Sequence, residues 1–199
     1  MYAKSKETTQ TILDAARALF SEKHYADVTI NEIVTYATIS KGALYHHFQN
    51  KEDVYLKMMH HYLAQIQEST EDVARNSTGT CRERLYQSAL NFLQLPDELL
   101  GVLRLVRRDI NLFEAPMRNE LIRAYQLAVP QQVEIIIRDG IEAGELRPID
   151  SQLLSWELVA VMEVASHPYG RGIIGGPEDM AQFVTNLFLD GAIAKSSGR

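Results

Sequence analysis

Thr38-Ile39-Ser40-Lys41-Gly42-Ala43-Leu44-Tyr45-His46-His47-Phe48 is the stretch on which the reading of this 199-residue chain turns; Thr29-Ile30-Asn31-Glu32-Ile33-Val34 lies in front of it, and Asn50 and Lys51 lie behind. Thr29 and Glu32 have the S/T-x-x-E spacing of a capping box, which predicts a helix from Ile30 with Ile33, Val34 and Ala37 as its apolar stripe. Thr38-Ile39-Ser40 reads as a tight turn, with Ser40 as the N-cap of a short third helix. Leu44 and Phe48, four apart, are its inward face. Lys41, Gly42, Tyr45 and His46 are left facing outward, with His47 to one side. Ile12, Leu13, Ala16, Leu19 and Phe20 form one face of a preceding helix. Three short helices with a tight turn between the second and third suggest a helix-turn-helix. The outward set suits a nucleic acid. Lys41 can donate to a guanine edge or a phosphate, and Gly42 lets the backbone come close. Tyr45 can lie on a thymine methyl or bond a phosphate. The same spacing also fits a plain helical hairpin with a solvated face.

Outward from this stretch, helical signals continue to the end, and no period-2 alternation is bounded by hairpin turns. Asn50 caps a long fourth helix, with Asp53 in its first turn. Thr80 and Glu83 repeat the capping-box signature ahead of Leu85, Ala89, Phe92 and Leu93. Pro96-Asp97-Glu98 opens a sixth helix. A seventh is expected over 117–143, kinked at Pro130. Asp150 caps an eighth over 151–167 that is apolar almost all round, the mark of a core or an interface. A glycine-rich loop is expected over 170–176, and Pro177 opens the last helix. The expected fold is therefore all-α, with about nine helices. A three-helix domain over 1–50 is followed by a larger helical domain over 51–199.

Composition narrows the function. A single cysteine, Cys81, excludes an internal disulfide or a multi-cysteine zinc site. The opening MYAKSKETTQ has no apolar segment behind its lysines, and no run approaches about 18 apolar residues, so a cytoplasmic protein with no membrane partner is expected. Net charge is −6, which looks wrong for a nucleic-acid binder. Yet residues 1–57 hold seven Lys and Arg against seven Asp and Glu, so the whole excess of acid falls in the remainder. No phosphate-cradling glycine loop, GxSxG or HExxH is present, so no catalytic residues and no cofactor are expected. His46-His47 and His60-His61 are adjacent pairs; on a helix the two rings of each point about 100° apart, so neither pair is expected to hold a metal.

Residues 29–34 and 37–54 resemble the DNA-binding segment of the TetR family of transcriptional regulators, and Ile12–Phe20 is similar to that family's first helix. The resemblance covers about residues 8–57. It implies that Lys41, Gly42 and Tyr45 reach bases or adjacent phosphates, and that Thr29, Ala43, His46, His47 and Lys51 contact the DNA backbone. Ser40, at the start of the same helix, is counted with them. One departure is Thr38, where family members often carry glycine in the turn; threonine dislikes a positive φ. The resemblance also implies a homodimer on a palindromic operator, with recognition helices about one DNA turn apart. A single locally neutral head binds weakly, and pairing is the physical remedy.

In the rear part the resemblance implies a pocket-bearing domain whose last two helices pair across the dimer. Leu154, Leu158, Val161 and Ala165 with Val184, Leu187 and Phe188 are the expected interface, unless they are simply core. Tyr62, Tyr86, Phe92, Leu103, Phe113, Tyr125, Trp156 and Met162 are candidate walls for an unknown small-molecule effector. Arg107 and Glu163 could meet its polar groups. The arginines at 104, 107 and 108 could equally form ion pairs with Asp109 and Glu114. The expected function is a DNA-binding regulator, a repressor released by its ligand. The alternatives are a helical interaction module, or an activator without a small-molecule inducer.

Overall fold

Both capping boxes form. Thr29 Oγ1 accepts from the Glu32 backbone N–H while Glu32 reaches back to the Thr29 N–H, and Thr80 with Glu83 does the same. These boxes satisfy donors that a helix start leaves unpaired, so they fix where the second and fifth helices begin. The structure is a computed structural model and describes residues 2–191. Among the described residues there are eleven α-helices: α1 Tyr2–Glu22, α2 Ile30–Tyr36, α3 Lys41–His47, α4 Lys51–Asn76, α5 Cys81–Leu93, α6 Asp97–Asp109, α7 Met117–Ala128, α8 Pro130–Glu142, α9 Ser151–Ser166, α10 Pro168–Ile174 and α11 Pro177–Asp190. Short 3-10 turns lie at Tyr25–Asp27 and Ile110–Leu112.

The count exceeds nine for two local reasons. Pro130 does not merely kink one helix. Val129 leaves helical geometry (φ −135°, ψ −60°) and Pro130 becomes the first residue of α8, as suits a residue without an N–H. Two side chains take up carbonyls at this break. Thr70 Oγ1 donates to Ala128 O at 2.6 Å, and Gln132 Nε2 donates to Leu127 O at 3.0 Å. The expected loop at 170–176 is largely α10. Pro168 opens it and His167 Nδ1 accepts from the Tyr169 N–H. Gly170 is required there: a Cβ would sit 2.5 Å from Ala165 O, so only glycine lets α10 lie this close to the end of α9.

The chain divides into two compact units. One holds the residues up to 65 together with 96–125; the other holds 66–95 together with 126 onward. In the first unit α1 packs against α2 and α6, and α2 against α3. Ile12, Phe20, Val28, Ile33, Leu44 and Phe48 are buried there. Phe20, Tyr25, Tyr55 and Phe113 form an aromatic cluster with ring centroids 4.9–5.7 Å apart. Beside it lies a buried charge. Asp109, 0% exposed, accepts from Arg108 Nε (2.7 Å) and Nη2 (2.8 Å) and from Tyr55 Oη (3.1 Å). Arg108 Nη2 also donates to Phe20 O and Lys23 O at the end of α1. In the second unit α5 packs on α11 and α8, and α9 packs on α8, α11 and α10. Phe92, Ile136, Leu158, Met162 and Val184 are buried in it.

Thr38 has φ +56°, so the turn between α2 and α3 does place a threonine in the left-handed region. That conformation costs an L-residue about 1–2 kcal/mol, part of which a glycine returns through its freer unfolded chain. Thr38→Gly is expected to stabilise the protein by about 0.5–1 kcal/mol, read as a higher urea midpoint with an unchanged slope.

Candidate nucleic-acid interface

α3 is seven residues long and positioned from both ends. Ser40 Oγ accepts from the Ala43 N–H at 3.1 Å, and Phe48 N–H donates to Leu44 O at 2.9 Å. Leu44 and Phe48 are buried at 0% and 1% exposure, which turns the opposite face outward. Lys41, Gly42, Tyr45 and His46 are exposed there and Ala43 is half-buried. Tyr45 is half exposed, an unusual setting for a large aromatic ring. Gly42 is not demanded by the protein's own packing, since a Cβ would meet only Ser40 Oγ at 3.9 Å. The space it leaves opens outward, where a backbone or base edge would approach.

The other residues expected at the DNA backbone divide. Thr29 is exposed, but its hydroxyl donates to Glu32 Oε2 at 2.8 Å and accepts from Glu32 N at 3.2 Å. The Lys23 ammonium 2.6 Å away, and then Thr29, hold the Glu32 carboxyl down at about 2. Thr29 therefore shapes the start of α2. His47 is half-buried and lies toward α1, with Nδ1 3.3 Å from Thr9 Oγ1. Lys51 departs most from expectation. Its ammonium turns back onto the carbonyls of Tyr25 (2.8 Å), Val28 (2.8 Å) and Ala26 (3.4 Å), 4.4 Å from the Tyr25 ring centroid. Its donors are directed into the protein. Nothing in the sequence pattern distinguishes such a lysine from one that reaches for phosphate.

The pocket candidates do not gather in one unit. Tyr62, Leu103, Arg107, Phe113 and Tyr125 fall in the first; Tyr86, Phe92, Trp156, Met162 and Glu163 fall in the second. Tyr62 Oη hydrogen-bonds Asp14, and Phe113 belongs to the aromatic cluster, so both hold the first unit together. Arg108 takes the ion-pair option with Asp109. No group of three or more His, Cys, Asp or Glu side chains among the described residues could hold a metal ion.

The interface candidates need correction. Leu158 and Val184 are 1% and 0% exposed, so they are core of the second unit and do not present themselves to a partner, and Ala165, 3% exposed, only floors the groove described next. The outward apolar surface lies beside them. Val161 and Leu187 line a groove of about 570 Å³ together with Val164, Tyr169, Ile173 and Phe183, and Glu157 is its charged member. Val164, Tyr169, Ile173 and Phe183 are 47–74% exposed. A helix apolar all round could have pointed to Val164. Tyr169 and Ile173 were hidden because their segment reads as a loop.

Residues 12–58 match the family described as bacterial regulatory proteins, tetR family. The chain is 28% identical over 150 residues to the transposon Tn10 TetC protein of Escherichia coli, covering 75% of this chain and 73% of that one. It is 27% identical over 138 residues to a fatty acid metabolism regulator protein of Bacillus subtilis, covering 68% and 69%. Among solved structures it resembles the transcriptional regulator FadR from Bacillus subtilis in complex with stearoyl-CoA. That match has a TM-score of 0.77 at 18% identity, over 92% of this chain and 99% of the other.

Proposed function

The chain belongs to the TetR family of transcriptional regulators, and we propose that it works as a homodimeric repressor that binds a palindromic operator and is released by a small molecule. In this reading residues 1–50 are the DNA-binding head, and 51–199 carry dimerisation and the effector site. The observation that carries it is the outward face of α3, where Lys41, Gly42 and Tyr45 stand exposed above a buried Leu44 and Phe48. A short helix N-terminus entering the major groove is how a helix-turn-helix reads bases. Selection from random duplex DNA, followed by anisotropy at two salt concentrations, tests it. An enriched palindrome bound by a dimer and weakened by salt is expected. No enrichment from folded, ligand-stripped protein would remove the reading.

The groove formed by α9, α10 and α11 is our dimer face. Its support is that Val164, Tyr169, Ile173 and Phe183 stand exposed side by side along one groove, an arrangement that marks an interaction surface. Val164→Glu would place a charge in that face twice per dimer by symmetry. Its burial without a partner should weaken association by about 3 kcal/mol or more, over 100-fold. Analytical ultracentrifugation should show folded monomer; an intact dimer would place the interface elsewhere.

For the effector we put first a fatty acyl chain, free or as its CoA thioester. Support comes from the similar fatty acid metabolism regulator and from the FadR structure that holds stearoyl-CoA. Stearoyl-CoA should lower DNA affinity, and by linkage must bind the DNA complex less tightly than the free dimer. Equal affinity for the two forms would exclude it as inducer.

A further inference from the structure

We propose that Lys51 is a positioning residue that closes the helix-turn-helix into a ring and makes no contact with DNA. This rests on the DNA-binding reading above. Residues 29–50 contain α2, the turn and α3, and the chain enters at Val28 and leaves at Lys51. Lys51 Nζ donates to Val28 O at 2.8 Å, so one hydrogen bond joins the two ends of the module across 23 positions. The same ammonium holds Tyr25 O at 2.8 Å and reaches Ala26 O at 3.4 Å. Those carbonyls belong to a 3-10 turn that ends at Asp27, with no continuing helix to supply N–H groups. An ammonium has three donors and no acceptor, and this one meets three carbonyls and an aromatic face. A cation is disfavoured in the first turn of a helix, where the dipole is positive. Lys51 is the first residue of α4, so its place there makes sense through the carbonyls it serves.

Two consequences follow from this geometry. Without the tether the start of α2 keeps its capping box, the Lys23–Glu32 pair and the burial of Val28 and Ile33, but the turn at Tyr25–Asp27 loses its donor and the start of α4 is no longer fixed to it. DNA affinity should then fall through disorder of the head and not through loss of a phosphate contact. The two routes have different salt signatures. A lost phosphate contact lowers the slope of log K against log salt by about one per head. A mispositioned head lowers affinity at an unchanged slope.

The test uses the full-length dimer and a duplex selected from a random pool, comparing wild type, Lys51→Met and Lys51→Gln. Expected are a loss of affinity of at least tenfold with the wild-type slope, and faster amide exchange confined to residues 25–32 at unchanged dimer mass. The Lys51 ammonium resonance in nitrogen-15 spectra should be visible in the protein alone and should not move on adding the duplex. Lys51→Gln, which keeps one donor, should lie between Met and wild type, and it serves if Lys51→Met fails to fold. A slope reduced by one per head, or an ammonium signal that shifts with DNA, would overturn the proposal. Wild-type affinity in both variants would overturn it as well. If wild type binds no duplex, the DNA-binding reading fails, while the exchange and ammonium measurements still decide whether Lys51 holds the ring.

Discussion

Tyr45→Ala should remove operator recognition while leaving a folded dimer. Tyr45 stands half exposed on α3, and the residues that hold the helix in place, Leu44 and Phe48, are on the other face. Truncating the ring therefore empties no core space, and the unfolding free energy in urea should stay within about 0.5 kcal/mol of wild type. On DNA the balance is different. A well-placed base-edge contact contributes about 1–3 kcal/mol. A two-fold dimer makes each contact twice, so the loss is about 2–6 kcal/mol, or roughly 30-fold to 20,000-fold in affinity. Binding to random duplex should change little, since that is carried by phosphates. Anisotropy on the selected palindrome and on a scrambled duplex separates the two. A variant that still prefers the palindrome by the wild-type ratio would show that another part of the head reads the bases.

The head was legible because its signals are local. The capping box at Thr29, the N-cap at Ser40 and the four-residue spacing of Leu44 and Phe48 each act within one turn of backbone, where sequence and structure are read together, as the capping box at Thr80 does in the second unit. Thr38 was legible as a conflict, and the structure resolves it as a positive φ. What the pattern could not show were choices made across the fold. Lys51 has the residue type and place of a phosphate contact, and only the position of Val28 and Tyr25 turns it inward. Leu158 and Val164 are equally apolar neighbours on one helix, and only the packing of α9 on α8 and α11 decides that the first is 1% and the second 68% exposed. The break that starts α8 and the whole of α10 escape the sequence pattern for opposite reasons. Pro130 reads as a kink but starts a helix, and the glycines at 170 and 172 read as loop signals although a proline and a histidine cap start one there.

Arg108→Ala should destabilise the first unit strongly, and by more than Asp109→Asn. The pair is asymmetric: the Arg108 side chain is 31% exposed, whereas that of Asp109 is 1% exposed. Burial, and next the charge of Asp109, push the Tyr55 hydroxyl far up, so it stays protonated and donates to the carboxylate. Removing the guanidinium leaves that buried carboxylate with this one neutral donor. It also strips Phe20 O and Lys23 O of their shared donor at the end of α1. Breaking a buried pair from one side costs about 3–5 kcal/mol, and the partial exposure of Arg108 places the expectation near the lower end. A domain is stable by only about 5–15 kcal/mol, so this is a large share. Asp109→Asn leaves a neutral amide that can still accept from Tyr55, while Arg108 keeps its two carbonyls and its access to water; a loss of about 1–2 kcal/mol is expected. The double change Arg108→Met with Asp109→Leu should then cost less than the sum of its single changes, because neither orphan charge remains. Urea unfolding at one fixed protein concentration measures all of these under one association state. Strict additivity, or equal costs for Arg108→Ala and Asp109→Asn, would mean that the pair is no tighter than an exposed ion pair and that the aromatic cluster alone fastens α6 to α1.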